Sequence, residues 1–247
     1  MSDVILEARG VGMRFGSFQA LTGISVQFRA GELCAIIGPN GAGKSTFFNI
    51  LSGSLSPTAG QVLYRGKDAT GLAPHAYARM GIAKSFQITN VFRQLSAHEN
   101  VRVAAQMRHS RFDFLSPRSR LREAGDQAQS LLERVGLGML ADRTAGDLAH
   151  GQQRALEMAM ALAADPQLLL LDEPTAGMSP EETTVMMELI TRLAAERTVI
   201  LVEHKMKLVM GICRRLIVLH HGEFLAEGTP EAIRANAEVR RVYLGQG

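Results

Sequence analysis

A glycine-rich turn after a run of apolar residues is the feature that most constrains the fold of this chain. Residues 38–45 read Gly-Pro-Asn-Gly-Ala-Gly-Lys-Ser and fit the pattern G-x-x-x-x-G-K-[ST]. The preceding run, Leu33–Ile37, is continuously apolar, as in a strand buried on both faces. A helix is predicted from Lys44 to Ser52, where Gly53 closes it. A buried strand, a glycine-rich loop and a helix in this order predict an α/β fold with a phosphate site.

Each residue type in this loop suits a phosphate group. Glycines let successive backbone N–H groups turn toward phosphate oxygens, and the helix N-terminus adds the positive end of its dipole. The Lys44 ammonium can reach the outer phosphates, and the Ser45 hydroxyl can ligate Mg²⁺. The alternative is a turn that binds no phosphate. The predicted phosphate-loop residues are Gly38, Pro39, Asn40, Gly41, Ala42, Gly43, Lys44, Ser45 and Thr46.

Two carboxylates follow a second apolar run. Leu168–Leu171 is a run of leucines that ends in Asp172 and Glu173. Because parallel strands deliver their C-terminal residues to the sheet edge where ligands bind, Asp172 is placed to hold Mg²⁺. Glu173 is then the candidate general base that activates the attacking water. The pair alone is equally typical of a helix N-cap, and the upstream loop favours the catalytic interpretation.

Alternating periodicities predict a parallel sheet with crossover helices and a helical block inserted between residues 97 and 164. The predicted strands lie at 4–7, 24–28, 33–37, 61–64, 168–171, 199–202 and 216–219. The predicted helices lie at 44–52, 121–135, 152–164, 180–195 and 205–213. A further strand and helix start are expected around Leu225 and Pro230, and Tyr243 is expected to pack the C-terminal tail on the domain.

Composition excludes several classes of protein. The hydrophobic share of 46% and charged share of 21% exclude a disordered chain. No apolar run approaches the ~18 residues of a membrane span, and no signal peptide is recognised. Two cysteines form no disulfide framework, which suits a reducing cytosol, and a net charge of +3 does not indicate nucleic acid. The arginine-rich stretch Arg108–Arg122 is interpreted as a solvated face rather than a nucleic-acid or membrane patch.

The segment between the loop and the carboxylates resembles the signature of ABC transporter ATP-binding subunits, which usually reads L-S-G-G-Q. The signature residues here are Leu148, Ala149, His150, Gly151 and Gln152. Three further positions match motifs of that family: Phe15 an aromatic that stacks on adenine, Gln87 the Q-loop glutamine, and His204 the switch histidine. The resemblance implies a P-loop ABC cassette with an N-terminal antiparallel β-subdomain, a RecA-like parallel core and an inserted α-helical subdomain.

The same resemblance implies an ATPase that uses ATP and Mg²⁺. Glu173, His204 and Gln87 would be catalytic, and Ser45, Gln87 and Asp172 would hold the metal. The signature would face ATP bound to a second ATPase subunit, identical or paralogous. Transmembrane permease subunits, and indirectly a periplasmic solute-binding protein, would be further partners, with the chain on the cytoplasmic inner face of the membrane.

Departures from the family pattern narrow the choice of subfamily. Ala149 and His150 replace a serine and a glycine of the signature, and residues 176–179 lack the D-loop aspartate. The signature, residues 203–211 and residues 239–245 resemble branched-chain amino acid uptake ATPases. Urea or amide importers, lipopolysaccharide-export ATPases, soluble ABC ATPases without a permease and a non-hydrolysing nucleotide module remain as alternatives.

The expected organisation is one ABC ATPase domain over residues 1–247. Its catalytic core with the β-subdomain would span residues 1–87 and 166–220, the helical subdomain 88–165 and the C-terminal extension 221–247. Val91, Phe92 and Leu95 are expected to give apolar contacts to a permease coupling helix.

Overall fold

Two β-sheets organise this computed structural model, which describes residues 4–84, 91–106 and 118–244. The strands are β1 (Val4–Phe15), β2 (Phe18–Arg29), β3 (Leu33–Ile37), β4 (Ala59–Tyr64), β5 (Lys67–Asp68), β6 (Ile82–Lys84), β7 (Leu168–Asp172), β8 (Thr198–Val202), β9 (Arg215–His220) and β10 (Glu223–Gly228). The helices are α1 (Lys44–Leu51), α2 (Pro74–Arg79), α3 (Ala97–Gln106), α4 (Arg118–Arg134), α5 (His150–Leu162), α6 (Pro180–Ala194), α7 (Met206–Ile212) and α8 (Pro230–Ala235). Short helical segments at Ala237–Val239 and Arg240–Leu244 close the described part of the chain.

The first sheet is antiparallel, with strand order β2-β1-β4-β5. Strands β1 and β2 form a long hairpin whose last pair is Phe15 and Phe18. Its buried residues alternate with exposed ones along much of β2, as period-two side-chain packing requires. The predicted N-terminal antiparallel sheet is confirmed, although β1 and β2 are longer than the runs from which they were inferred.

The second sheet carries the phosphate loop and has the order β10-β9-β3-β8-β7-β6. Strand β3 pairs in parallel with both β8 and β9, and β7 pairs in parallel with β8. Every residue of β3, β7 and β8 is buried, as expected for strands covered on both faces. The predicted parallel core is confirmed, and the C-terminal ends of β3, β7 and β8 meet at one edge of the sheet.

The chain divides into two compact units. The first comprises residues 1–82, 167–173 and 190–247, and the second comprises residues 83–166 and 174–189. In the second unit α3 packs on α4 and α5, and α4 packs on α5. Apolar side chains from all three helices are buried there, including Val101, Leu132 and Leu156. Burial of such side chains stabilises each unit by about 1.5–3 kcal/mol per residue.

One predicted helix begins earlier than expected. The sequence places its start at Gln152, but α5 begins at His150 with Ala149 as its N-cap. The Gln152 side chain explains the difference, because its Oε1 accepts a hydrogen bond from the Ala149 backbone N–H at 3.0 Å. This is half of a capping box, and it draws His150 and Gly151 into the first turn. Within the described residues, no helix is both long and apolar enough to cross a membrane.

Candidate functional site

The phosphate loop connects β3 to α1, and its glycines are required by the space around them. Gly38 has φ 151°, and a Cβ built there would lie 2.2 Å from the Leu219 carbonyl oxygen. Gly43 has φ 90°, and a Cβ there would lie 2.6 Å from Leu21 Cδ2. Any side chain at either position would force neighbouring backbone or core atoms apart. The loop is therefore close-packed against β9 and β2 on one side.

Lys44, the first residue of α1, is buried and bonds back to this loop. Its Nζ donates hydrogen bonds to the carbonyl oxygens of Gly38 and Pro39, both at 2.8 Å. Burial lowers the pKa of Lys44, and the charge of Glu173 opposes that shift. The ammonium is thus held in place before any ligand arrives. Ser45 is exposed at the first turn of α1, and its neighbour Thr46 is partly buried.

Glu173 follows β7 in an unusual backbone conformation. Its φ is 45°, in the left-handed region that non-glycine residues rarely adopt, at a typical cost of about 1–3 kcal/mol. The Glu173 backbone N–H donates to the Val202 carbonyl at 2.9 Å, so β8 holds the residue there. Asp172, one residue earlier, is buried at the end of β7. Helix α6 starts only at Pro180, so this pair is not a helix N-cap.

His204 approaches Glu173 from the end of the neighbouring strand β8. Its Nδ1 lies 3.7 Å from Glu173 Oε1 and 3.9 Å from Glu203 Oε2. Glu203 is fully buried and accepts the backbone N–H groups of His204 at 3.0 Å and Lys205 at 3.3 Å. This carboxylate fixes the turn after β8 and leaves the His204 ring half exposed. The positioning contribution of Glu203 was not predicted from the sequence.

Two aromatic rings stand at the tip of the β1–β2 hairpin. Phe15 is 47% exposed and Phe18 is 66% exposed. Exposed apolar rings of this size favour a stacking partner, and flat heteroaromatic rings are one such partner. Phe15 was predicted from the sequence and Phe18 was not, although the two lie on either side of the Gly16-Ser17 turn.

The C-terminal tail returns to the phosphate loop. The Gly38 backbone hydrogen-bonds the hydroxyl of Tyr243, which is partly buried. Burial raises the pKa of Tyr243, so this hydroxyl stays protonated at neutral pH. The expected packing of Tyr243 on the domain is confirmed, and its contact with the loop is an addition.

The signature lies in the second unit, at the start of α5. Leu148 and Ala149 precede the helix, and His150, Gly151 and Gln152 form its first turn. The Gly151 backbone N–H donates to Glu182 Oε1 at 3.0 Å. A Cβ on Gly177 would lie 3.2 Å from His150 Cε1, so the imidazole lies against that turn. The sequence pattern does not indicate this contact of Glu182 with the signature.

Some predicted residues lie outside the described residues, including Gln87, Arg108 and Arg111. Within residues 4–84, 91–106 and 118–244, no cluster of three or more His, Cys, Asp or Glu side chains suits a metal ion. The first unit thus brings together Lys44, Asp172, Glu173 and His204 at one sheet edge. A buried cation, a carboxylate on a strained backbone and an imidazole at this edge suit phosphate binding and water activation.

Comparison with known proteins agrees with this chemistry. Residues 21–176 match the family model described as ABC transporter. Residues 225–247 match a second model, described as branched-chain amino acid ATP-binding cassette transporter. The structure is also similar to a solved ATP-binding cassette of an ABC transporter in its ADP conformation, with a TM-score of 0.86 and 30% identity over 98% of this chain and 99% of that one.

Three curated relatives cover nearly the whole chain. The high-affinity branched-chain amino acid transport ATP-binding protein BraF of Pseudomonas aeruginosa is 44% identical over 100% of both chains. The corresponding protein LivG of Escherichia coli is 43% identical over 100% of both. The lipopolysaccharide export system ATP-binding protein LptB of Acidithiobacillus ferridurans is 35% identical over 98% of this chain and 97% of its own.

Proposed function

This chain belongs to the ABC transporter family of ATPases, and we propose that it is the ATP-hydrolysing subunit of an importer for branched-chain amino acids. The observation that carries the cargo assignment is full-length similarity at 43–44% to two such subunits. The match of residues 225–247 to a branched-chain amino acid transporter model agrees with this assignment.

The phosphate loop supports binding of ATP in the first unit. The loop backbone from Gly38 to Gly43 would surround the phosphates, and Lys44 would exchange its two carbonyl contacts for phosphate oxygens. Ser45 and Thr46 at the start of α1 would contact the same phosphates. The exposed ring of Phe15 would stack on adenine, with Phe18 beside it.

The geometry of Glu173 and His204 supports hydrolysis rather than binding alone. The strained backbone of Glu173 fixes its carboxylate at the sheet edge, where it would take a proton from the attacking water. His204, 3.7 Å from that carboxylate, would orient the water and donate to the outer phosphate. These two groups argue against a module that binds nucleotide without hydrolysing it.

The residues near the phosphates also fit Mg²⁺. The exposed Ser45 hydroxyl and the Asp172 carboxylate are oxygen ligands of the kind that Mg²⁺ prefers, and Gln87 would be a third. When bound, this ion would neutralise charge that develops on the outer phosphates. A site of so few protein ligands is typical of Mg²⁺ that phosphate oxygens also hold.

ATP-binding subunits of this family work as dimers with permease partners. We propose that the signature of this chain, Leu148–Gln152, completes the site of a second ATPase subunit. The N-terminus of α5 presents backbone N–H groups, which suit a phosphate of that subunit's ATP. One chain would then supply two half-sites, and ATP would hold the pair together.

An exposed aromatic side chain in the second unit supports a permease contact on the inner face of the membrane. Phe92 is 53% exposed, yet its backbone is fixed by the buried side chain of Asn100. Asn100 Oδ1 accepts from the Phe92 N–H at 2.7 Å, and Asn100 Nδ2 donates to the Phe92 carbonyl at 3.1 Å. An exposed aromatic ring on a backbone that is fixed in this way suits an anchor residue at an interface. Val91 and Leu95 lie beside it in sequence.

Uptake and co-purification test this function. In cells that depend on this chain, we expect uptake of labelled leucine, isoleucine and valine to be lost with the variant Glu173→Gln. If amino acid uptake is unchanged and urea uptake or lipopolysaccharide export is lost instead, the cargo assignment is wrong. Affinity purification from membranes is expected to bring down a multispanning permease.

A matched pair of variants tests the docking residue. The change Phe92→Asp is expected to reduce the amount of co-purified permease at least tenfold, a typical loss for an anchor residue of about 1.4 kcal/mol or more. Met139→Asp is the control, since Met139 lies in the same unit and is 99% exposed. Equal recovery of permease with both variants would remove Phe92 from the interface.

A further inference from the structure

A single carboxylate, that of Glu182, caps two helices. Ser179 and Glu182 form a capping box at the start of α6: the Glu182 N–H donates to the Ser179 hydroxyl at 3.2 Å, and the Ser179 N–H donates to Glu182 Oε2 at 3.0 Å. The other carboxylate oxygen, Oε1, accepts from the Gly151 N–H at 3.0 Å. The first turn of α5, which holds the signature, is thereby tied to the first turn of α6.

The fit between Glu182 and Gly151 is close. A Cβ built on Gly151 would lie 2.6 Å from Glu182 Oε1 and 2.9 Å from its Cδ, so only glycine lets this carboxylate reach the helix N-terminus. Hydrogen bonds from the backbone N–H groups of Ser179 and Gly151 hold the pKa of Glu182 below its usual range. Glu182 therefore stays ionised at neutral pH and places a full negative charge at the signature.

Glu182 also compensates for an unusual N-cap. Helix α5 begins after Ala149, whose methyl side chain accepts no hydrogen bond. Alanine is among the least favourable N-cap residues, because the first backbone N–H groups then lack a side-chain acceptor. The Glu182 carboxylate supplies that acceptor from another helix, and its charge is favourable at the positive end of the α5 dipole.

We propose that Glu182 is an internal anion that occupies the signature until the outer phosphate of ATP on the second ATPase subunit displaces it. This inference rests on the proposed function, since it requires that the signature meet the nucleotide of another chain. The carboxylate and the phosphate need the same donor, the Gly151 N–H, and both are negative. Association therefore requires Glu182 to release Gly151, while its capping box with Ser179 keeps it nearby. Glu182 thus raises the Kd for the ATP-dependent association of the two ATPase subunits.

The test measures the Kd of ATP-dependent association in the Glu173→Gln background, where hydrolysis is slow. The partner is the ATPase chain, identical or paralogous, that co-purifies with this chain, and analytical ultracentrifugation with ATP and Mg²⁺ gives the Kd. Adding Glu182→Gln is expected to lower that Kd about five- to tenfold, because one charge next to the phosphate is removed. A second uncharged variant, Glu182→Thr, is expected to lower it in the same direction.

Glu181→Gln is the matched control. Glu181 precedes Glu182 on α6, and its carboxylate accepts from the Ser179 hydroxyl at 2.8 Å. Removing this charge is expected to change the Kd by less than about twofold, because Glu181 is exposed and its carboxylate accepts from Ser179 rather than from Gly151. An unchanged or higher Kd for folded Glu182 variants would show that Glu182 is only a helix cap and would overturn the inference. A Glu173→Gln protein that binds ATP but associates with no ATPase chain would instead contradict the proposed function.

Discussion

The phosphate loop and the signature are both helix N-termini suited to a phosphate, but they are completed in different ways. The loop lysine is held by local contacts, since Lys44 Nζ donates to carbonyls only five and six residues before it. The signature is completed by Glu182, which lies 31 residues from Gly151. A sequence motif can therefore specify the placement of this lysine almost fully, whereas the start of the signature helix depends on how another helix is placed. The two regions should also respond differently to substitution.

The largest expected effect is on the chemical step, because the proposed general base, Glu173, lies in the first unit. Changing Glu173→Gln removes the proposed base and is expected to lower ATP turnover about 10²- to 10⁴-fold. ATP binding to the separate chain should be retained, because Lys44 and the loop are unchanged. Measuring phosphate release checks the turnover, and titration with nucleotide checks the ATP affinity. Equal release by the variant and the wild type would remove Glu173 from its proposed role.

A substitution in the phosphate loop should lower the stability of the fold around it. We expect Gly38→Ala to lower the free energy of unfolding by about 2–4 kcal/mol, because the new Cβ meets the Leu219 carbonyl in a buried, close-packed loop. Urea denaturation measures this change. Gly211→Ala is the control, since Gly211 lies in α7 and a Cβ there would point into space that is open among the described residues. Alanine at that helical position should stabilise the chain by about 0.5–1 kcal/mol.

A substitution in the signature should separate association from nucleotide binding. With Gly151→Ala the new Cβ would lie at the carboxylate of Glu182 and obstruct any anion at that helix start. Turnover is expected to fall about tenfold, the loss of roughly one hydrogen bond to a charged group. ATP affinity of the separate chain should stay the same. A matching loss of ATP affinity would show that the signature belongs to the chain's own nucleotide site.

The smallest expected effect is a gain in the free energy of unfolding. Changing Ala149→Ser restores a side-chain acceptor at the N-cap of α5 and is expected to stabilise the chain by about 0.5–1 kcal/mol. Ala149→Val offers no acceptor and should give no gain. Comparing their urea midpoints measures the effect. If serine gives no gain either, the Glu182 contact already satisfies the helix start completely.

Much of the first unit follows from local patterns in the sequence. Strands β3, β7 and β8 are continuous apolar runs, and the loop between Gly38 and Ser45 has a motif whose residues each serve a phosphate. Helix α1 ends within one residue of its predicted limit at Ser52. These elements are specified by neighbours in sequence, so periodicity and turn chemistry suffice to predict them.

Contacts between distant residues could not be predicted in the same way. Nothing near Gly151 indicates Glu182, although the S-x-x-E pattern at Ser179–Glu182 does mark a helix start. The support that Glu203 gives His204 requires knowing that β8 turns sharply there. The hydrogen bond between Tyr243 and Gly38 joins the C-terminal tail to a loop far away in the sequence. Each of these depends on tertiary packing that a local pattern does not encode.

The central claim is that the loop and the signature of one chain serve two different nucleotide sites. Where identical chains associate, an equimolar mixture of Lys44→Ala and Gly151→Asp variants tests it directly. Each variant alone has no intact site, but a mixed pair would combine the intact loop of one chain with the intact signature of the other. With random pairing, about half of the pairs are mixed, and each mixed pair has one intact site out of two. The mixture is therefore expected to recover about a quarter of the wild-type ATPase rate. A mixture no more active than the separate variants would contradict the claim.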